Sequence, residues 1–289
     1  MIGLIRAELL KIRRRQATYV LLFIELLLTA LIFLAIGPYW QAQEIIAFPQ
    51  AYAIFQQVAF QLGGLIAIVF AAAYIGADWN WGVLRNVVAR GESRERYLLA
   101  KFAALAIVLA IGLLIEFAAC FVLLYVSSFL YNVPIANPFR ANGFQDLIVW
   151  LALGFPVLLQ RAAIGYAVAA IFRSQLAGAV VGIVLFLVEL VLTTFLTLFT
   201  TIQNVGDPEG PFGGNGLQPI GPEWFQYLPI SIGGNVFTAL PGTGGLGSGD
   251  INSFFLRPVP FEQAFIGVLL YTVIAVGLAL IVVRRQEIA

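Results

Sequence analysis

The chain has 289 residues, of which 61% are hydrophobic and only 11% are charged. Soluble domains carry about 25% charged residues, so this composition excludes an ordinary soluble domain and indicates an integral membrane protein. The net charge of +1 points to no nucleic-acid or acidic partner. With no histidine and one cysteine, the sequence also excludes haem ligation through imidazole, histidine acid–base catalysis, a Cys/His metal site and an intrachain disulfide.

Six apolar runs are long enough to cross a bilayer as helices, which takes about 20 residues each. They predict an all-α fold with one transmembrane domain over residues 1–289. The predicted spans lie near residues 18–37, 56–77, 100–130, 147–172, 176–200 and 262–283.

The distribution of Lys and Arg predicts the orientation, because short cytoplasmic loops carry an excess of these residues. With six spans, thirteen of the sixteen Lys and Arg residues lie on one side of the membrane. Arg140 and Arg257 lie on the other side, and Arg161 lies within a span. The expected topology therefore has both termini in the cytoplasm, in a plasma membrane. The thirteen residues are Arg6, Lys11, Arg13, Arg14, Arg15, Arg85, Arg90, Arg94, Arg96, Lys101, Arg173, Arg284 and Arg285.

The segment before the first span, residues 1–16, has the pattern of an amphipathic helix. Ile2, Ile5, Leu9 and Ile12 recur at spacings of three and four. This periodicity favours a helix lying in the membrane interface over a basic anchor that only fixes topology.

A second structured segment, residues 78–99, follows the second span. Trp81, Leu84 and Val88 share one helical face, and Gly91 is placed to end that helix. Ser93 followed by Glu95 is typical of a cap with an acidic first turn. A plain connector needs only three or four residues, so we expect this loop to present a short helix to the cytoplasm.

The outer loop, residues 201–261, is rich in Gly and Pro but contains an apolar stretch at 223–240 that is too short to span. Its aromatic content favours a re-entrant or interfacial pair of short helices, broken within "LPISIGG", over a disordered linker.

Two stretches resemble the permease subunits of type 2 ABC exporters. They are "WGVLRNVVARGESRERYLLAK", residues 81–101, and "EWFQYLPISIGGNVFTAL", residues 223–240. The resemblance implies a cytoplasmic coupling helix that docks on an ABC-type ATPase subunit and an outer segment that lines the exit of the path. The implied ATPase-coupling residues are Trp81, Leu84, Arg85, Val88, Arg90, Arg94 and Arg96, and the implied exit residues are Trp224, Phe225, Tyr227, Leu228 and Pro229.

The resemblance also implies a dimer, formed with a second permease copy or a paralogue, and a pair of ATPases. The sequence contains no G-x-x-x-x-G-K-[ST] motif, and the glycine cluster "PGTGGLGSGD" lacks the phosphate-binding lysine. We therefore expect no cofactor and no catalytic site in this chain, with ATP and magnesium bound by the partner subunit.

Four ionisable residues fall within predicted spans: Glu25, Glu116, Arg161 and Glu189. Such residues are costly in lipid and mark functional sites by default. They would form either a polar or protonatable translocation path, or interhelical contacts in which Glu116 or Glu189 neutralises Arg161. We favour the second interpretation.

Four functions can be compared with these features. The favoured one is the permease half of an ATP-driven exporter of a hydrophobic or amphipathic substrate. The alternative is a non-transporting structural subunit of a larger membrane complex. An intramembrane enzyme is disfavoured, because no nucleophile has a base at useful spacing, and a secondary transporter is disfavoured because no inverted repeat with paired broken helices is evident.

Overall fold

A computed structural model describes residues 1–40, 55, 57–80, 83, 87, 89, 91–132, 143–203, 223–238 and 259–285. The described residues form helices and connections, with no strand among them. The helices are α1 (Ile2–Arg14), α2 (Gln16–Trp40), α3 (Gly63–Asn80), α4 (Arg94–Tyr131), α5 (Gly143–Phe172), α6 (Gln175–Gln203), α7 (Pro229–Thr238) and α8 (Phe261–Arg285). A π-helical segment, Gln57–Leu62, precedes α3, and a 3₁₀ turn, Glu223–Tyr227, precedes α7.

Among the described residues, six helices are long and apolar enough to cross a membrane, which confirms the predicted number of spans. We call α2, α3, α4, α5, α6 and α8 the first to sixth spans. The spans cover Gln16–Ala35, Val58–Trp79, Arg94–Tyr131, Leu147–Phe172, Gln175–Leu192 and Phe261–Arg285.

The second span is the centre of the bundle. In its apolar stretch 72% of the residues are buried, against 11% in the first span. It packs most extensively on the fourth and fifth spans. Small residues permit this close approach: a side chain at Gly165 of the fourth span would collide with the backbone carbonyl of Ile68.

The third span has 38 residues, which corresponds to about 57 Å of helix and exceeds a bilayer core of about 30 Å. Its start is capped as predicted: the Ser93 hydroxyl accepts from the backbone N–H of Arg96 at 3.3 Å. Gly91 has a φ of +83°, the left-handed conformation that glycine adopts without strain. The α1 helix packs chiefly on the third span, and it contacts Tyr97 and Lys101 near the start of that span.

Within its described residues, 223–238, the outer segment forms short helices, as expected, and the break falls at the first residue of "LPISIGG". The chain bends at Leu228, and Gly233 and Gly234 lie inside α7. Pro229 starts the helix because proline is tolerated at the first helical position. Gly233 serves packing instead: a Cβ there would lie 2.8 Å from a methyl group of Val157.

Candidate functional site

A buried network of charged and hydroxyl groups joins α1 to the second and third spans. The Lys101 ammonium lies 2.6 Å from the Asp78 carboxylate and 3.4 Å from that of Glu8. Tyr97 donates to Asp78 at 2.6 Å and Tyr74 donates to Glu8 at 2.6 Å. Asp78 is the first residue of the predicted coupling loop, Tyr97 lies near its end, and Lys101 follows it by two residues, so the network holds both ends of the loop and α1 together.

Lys101 is the cation at the centre of this network. Its side chain is 1% exposed, and its ammonium lies 3.8 Å from the centre of the Tyr74 ring. Glu8 and Asp78 are also buried. An ion of this kind is retained in a protein interior only when charges and hydrogen bonds compensate it, and here two carboxylates and an aromatic face do so.

Lys11 extends the network to the surface of α1. Its half-exposed ammonium forms an ion pair with Glu8 and donates to the Tyr97 hydroxyl at 3.3 Å. Burial alone would raise the pKa of Glu8, but the positive charges of Lys101 and Lys11 and the hydrogen bonds from Lys11 and Tyr74 outweigh it and lower the pKa below 4.5. Glu8 is therefore ionised at neutral pH.

The lowered pKa of Glu8 predicts a pH-dependent contribution to stability. A carboxyl group whose pKa is lower in the folded state stabilises that state above its unfolded pKa of about 4.5 and loses the contribution as the pH falls below it. We expect the difference in unfolding free energy between the wild type and Glu8→Gln to be constant from pH 8 to about 5.5 and to shrink below pH 4.5. Unfolding titrations at a series of pH values check this. A difference that stays constant down to pH 3 would contradict the ionised state of Glu8.

Most of the predicted coupling residues lie outside the described part of the chain. These are Trp81, Leu84, Arg85, Val88 and Arg90. Arg94 and Arg96 are described at the start of the third span. The Arg94 guanidinium donates to the carbonyl of Val283 at 3.4 Å, and Arg96 is exposed.

The basic ends of several helices meet at one end of the bundle. Arg15 after α1 donates to the carbonyl of Ala73 at 3.2 Å. Arg173, in the tight turn between the fourth and fifth spans, lies 5.8 Å from the centre of the Trp79 ring. Arg284 at the end of the sixth span forms an exposed ion pair with Glu95 at 3.6 Å. The basic segments that the sequence assigns to one side of the membrane are thus neighbours in space.

The intramembrane charges fall into two groups. Glu116 is buried in the third span, where Thr29 of the first span donates to it at 2.6 Å, and Glu25 is close enough to repel it electrostatically. Arg161 is buried in the fourth span, donates to the carbonyl of Phe60, and is attracted electrostatically by Glu189. Phe60 lies in the π-helical segment, where the widened turn frees carbonyls for such contacts.

Glu189 binds the start of α7. One of its carboxylate oxygens accepts from the backbone N–H groups of Ile230 at 2.9 Å and Ser231 at 2.7 Å, and from the Ser231 hydroxyl at 3.0 Å. The first N–H groups of a helix have no partner within it, and a carboxylate also compensates the positive end of its dipole. The fifth span thereby fixes the short outer helix.

Two of the predicted exit residues, Tyr227 and Pro229, form hydrogen bonds next to this junction. Tyr271 of the sixth span donates to the carbonyl of Tyr227 at 2.8 Å, and Gln160 of the fourth span donates to that of Pro229 at 2.6 Å. The side chain of Trp224 is exposed, and the backbone bends at Leu228. The side chain of Phe225 lies outside the described part of the structure.

Replacing Glu189 with leucine should loosen the outer helix. The change leaves two backbone N–H groups and one hydroxyl buried without their acceptor, at a cost of about 2–4 kcal/mol of unfolding free energy. Glu189→Gln retains one acceptor oxygen and should cost about half as much. Unfolding titrations measure both values, and protease cleavage within residues 223–238 should become faster in the leucine variant. Equal stability of the leucine variant and the wild type would show that the Glu189 contacts contribute nothing.

The network residues Glu8, Asp78 and Tyr97 were not identified as site residues from the sequence, and Lys101 was identified only as a topology marker. One signal was available. Glu8 lies three residues after Ile5 and four before Ile12, so it falls on the apolar stripe of α1 where an acidic residue is out of place. Among the described residues no group of three or more Cys, Asp or Glu side chains is placed to hold a metal ion.

Comparison with known proteins gives one family match. Residues 4–203 match the model of a family described as "ABC-2 family transporter protein". No curated protein matches the chain. The match covers α1 from its third residue onward, the predicted coupling loop and the first five spans, and these parts include the whole buried network. The chain belongs to the ABC-2 transporter family and is a multi-pass membrane permease of an ABC transporter.

Proposed function

We propose that this chain is the permease half of an ATP-driven exporter, with both termini and the loop at 78–99 in the cytoplasm of the cell and a separate ATPase subunit bound to that loop. The proposal rests on the buried network. Asp78 and Lys101 lie at the two ends of the loop and form an ion pair, and Glu8 of α1 forms a second ion pair with Lys101. These contacts would transmit a movement of the loop to α1, to the second span and to the third span.

The orientation rests on the charge distribution and its geometry. Several basic helix ends lie next to one another, at the end of the bundle where the loop begins and ends. They carry Arg15, Arg94, Arg173 and Arg284. The positive-inside rule assigns such an end to the cytoplasm. There α1 lies beside the membrane surface with Ile2 exposed and Ile12 buried, which is compatible with an interfacial position.

In the mechanism, ATP and magnesium bind to the partner subunit, and closure of the ATPase pair moves the coupling loops. The network passes this movement to α1 and to the second and third spans. The second span is the most buried and packs on the fourth and fifth, so a shift in it changes the arrangement of the bundle. The chain itself performs no chemistry.

At the opposite end, α7 is the candidate exit element. Gln160 of the fourth span and Glu189 of the fifth span hold α7, and Tyr271 of the sixth span holds the 3₁₀ turn before it. Ten residues make about 15 Å of helix, which is half of a bilayer core, and the buried side chains of Ile232 and Phe237 favour re-entry between the spans. The apolar surroundings suit a hydrophobic or amphipathic substrate.

Co-purification tests this function. The tagged chain, extracted in mild detergent from its native membrane, should bring down an ABC-type ATPase in a one-to-one ratio together with a second permease chain. Hydrolysis by that ATPase should change when the permease is removed. Association only with complexes that contain no ATPase would favour the structural-subunit alternative and contradict the exporter.

A further inference from the structure

A cavity of about 340 Å³ lies where the end of α1 meets the end of the second span and the start of the third. Its size falls in the range of about 300–1,000 Å³ that is typical of ligand sites. The proposed function assigns no ligand to this cavity. Its charged lining residues are Lys11, Arg14, Arg15, Asp78 and Lys101.

Positive charge predominates around the cavity. Of the described residues that line it, four are cationic and one, Asp78, is anionic. Asp78 is compensated by Lys101, from which it lies 2.6 Å away. Glu8, which lies outside the lining, forms ion pairs with Lys11 and Lys101. Two positive charges therefore remain after both carboxylates are counted, and this excess favours an anionic ligand.

The cations that a ligand can reach belong to the end of α1. Lys101 is buried, so it contributes charge to the cavity but no contact surface. The Lys11 side chain is half-exposed, and Arg14 is exposed. Among the described residues, no hydrogen bond or ion pair compensates the Arg14 guanidinium. Arg15 donates to the carbonyl of Ala73 at 3.2 Å, which fixes its side chain beside the second span.

The cavity lies at the depth of the lipid head groups. Arg14 and Arg15 directly precede the first span, which begins at Gln16. Asp78 is the last residue but one of the second span, Val58–Trp79. The ends of two spans therefore border the cavity, and span ends coincide with the layer in which lipid phosphates are concentrated. A lipid phosphate is already present at this depth, so the membrane is the nearer source of an anion.

We propose that this cavity binds the phosphate group of an anionic phospholipid. The phosphate oxygens accept hydrogen bonds, and a guanidinium and an ammonium group offer only donors, so Arg14 and Lys11 would hold the phosphate between them. Ala77 and Val83 form an apolar part of the wall beside which the glycerol carbons would lie. The acyl chains would remain in the bilayer. A zwitterionic head would bring its own cation close to Arg14 and Lys11 and lose most of the attraction.

The test uses the purified full chain in a neutral detergent, without any ATPase subunit. Native mass spectrometry measures the dissociation constants of dioleoyl phosphatidylglycerol and of dioleoyl phosphatidylcholine, which has the same acyl chains and a zwitterionic head. We expect phosphatidylglycerol to bind about tenfold more tightly or better. Equal affinity for the two lipids would overturn the proposal. Because no ATPase is present, neither result bears on the proposed export function, and a failed co-purification leaves this site untouched.

A soluble competitor distinguishes the two sources of phosphate. Glycerol phosphate presents the phosphate group without acyl chains. It should displace phosphatidylglycerol only at concentrations far above those of the lipid. If it binds as tightly as phosphatidylglycerol, the cavity is a site for a soluble phosphate and the lipid assignment is wrong.

Two variants and a matched control locate the site. Arg14→Gln should weaken phosphatidylglycerol binding about fivefold, and Lys11→Gln combined with Arg14→Gln about twentyfold, while binding of phosphatidylcholine stays unchanged. Arg13→Gln is the control, because Arg13 is an exposed neighbour on α1 that does not line the cavity, and its replacement removes the same charge. Equal losses in Arg13→Gln and Arg14→Gln would mean that the lipid is attracted to the basic helix in general and would overturn the site. A parallel loss of phosphatidylcholine binding would show that Arg14 acts through structure and would overturn its assigned contact with the phosphate.

Discussion

Replacing Lys101 with methionine should lower the unfolding free energy of the chain by about 3–5 kcal/mol. Methionine keeps most of the volume and the apolar stem of the side chain, so the change removes mainly the charge. It leaves the buried carboxylates of Asp78 and Glu8 without their shared cation, and breaking a buried ion pair in this way costs about that much. Unfolding in mixed micelles with increasing sodium dodecyl sulfate measures the change.

The matched control is Lys11→Met, in the same network. The Lys11 side chain is 48% exposed, so solvent screens its ion pair with Glu8, and the expected loss is below about 1 kcal/mol. Similar losses in the two variants would contradict the central position of Lys101.

A double variant separates the ion pair from packing. Lys101→Met combined with Asp78→Asn removes both charges of the 2.6 Å pair, so it should be more stable than Lys101→Met alone. The coupling free energy from the four proteins isolates the pairwise contribution. Additive losses would mean that the two side chains stabilise the chain independently and that the network does not join the ends of the loop.

The spans could be predicted from the sequence because a helix that crosses the bilayer needs about 20 consecutive apolar residues. Counting apolar residues along the chain tests this requirement directly. The Ser93 cap was predictable for a similar reason: the side chain and the N–H group that it accepts from lie three residues apart. Each of these features depends only on residues that are close in the sequence.

The network could not be predicted in the same way. Asp78 and Lys101 are 23 positions apart, and Glu8 is 93 positions from Lys101. Their meeting depends on how three helices rotate about their axes, which apolar periodicity does not determine in a helix that is apolar on all sides. Arg161 is a similar case, since its position in the sequence left Glu116 and Glu189 as equal candidates, and the packing brings it near Glu189.

The position of the break in the outer segment depends on contacts with other helices. The predicted break within "LPISIGG" falls at its first residue, Leu228, and not at its two glycines, although glycine weakens an isolated helix. Inside the bundle, however, Gly233 gains close packing on Val157, and the first N–H groups of α7 gain Glu189 as acceptor. Both gains come from other helices, so the sequence of the segment alone does not contain them.

Reversing the charge of the coupling loop, with Arg85→Glu and Arg90→Glu together, should abolish association with the ATPase subunit. The proposed function places the contact with that subunit at this loop, and each reversal would then replace the attraction expected at the interface by a repulsion. Like-charge contacts at an interface cost several kcal/mol. Two of them should reduce co-purified ATPase by more than about tenfold while the permease remains folded.

The same pull-down with Arg285→Glu provides the control, because Arg285 is an exposed basic residue at the end of the sixth span and lies outside the loop. This variant should retain the ATPase at nearly the wild-type level. If both variants lose the ATPase equally, the contact depends on the general positive charge of this end of the bundle. If the double variant in the loop retains the ATPase, the docking surface lies elsewhere, and the buried network at Asp78 and Lys101 then stabilises the bundle without transmitting movement from a partner.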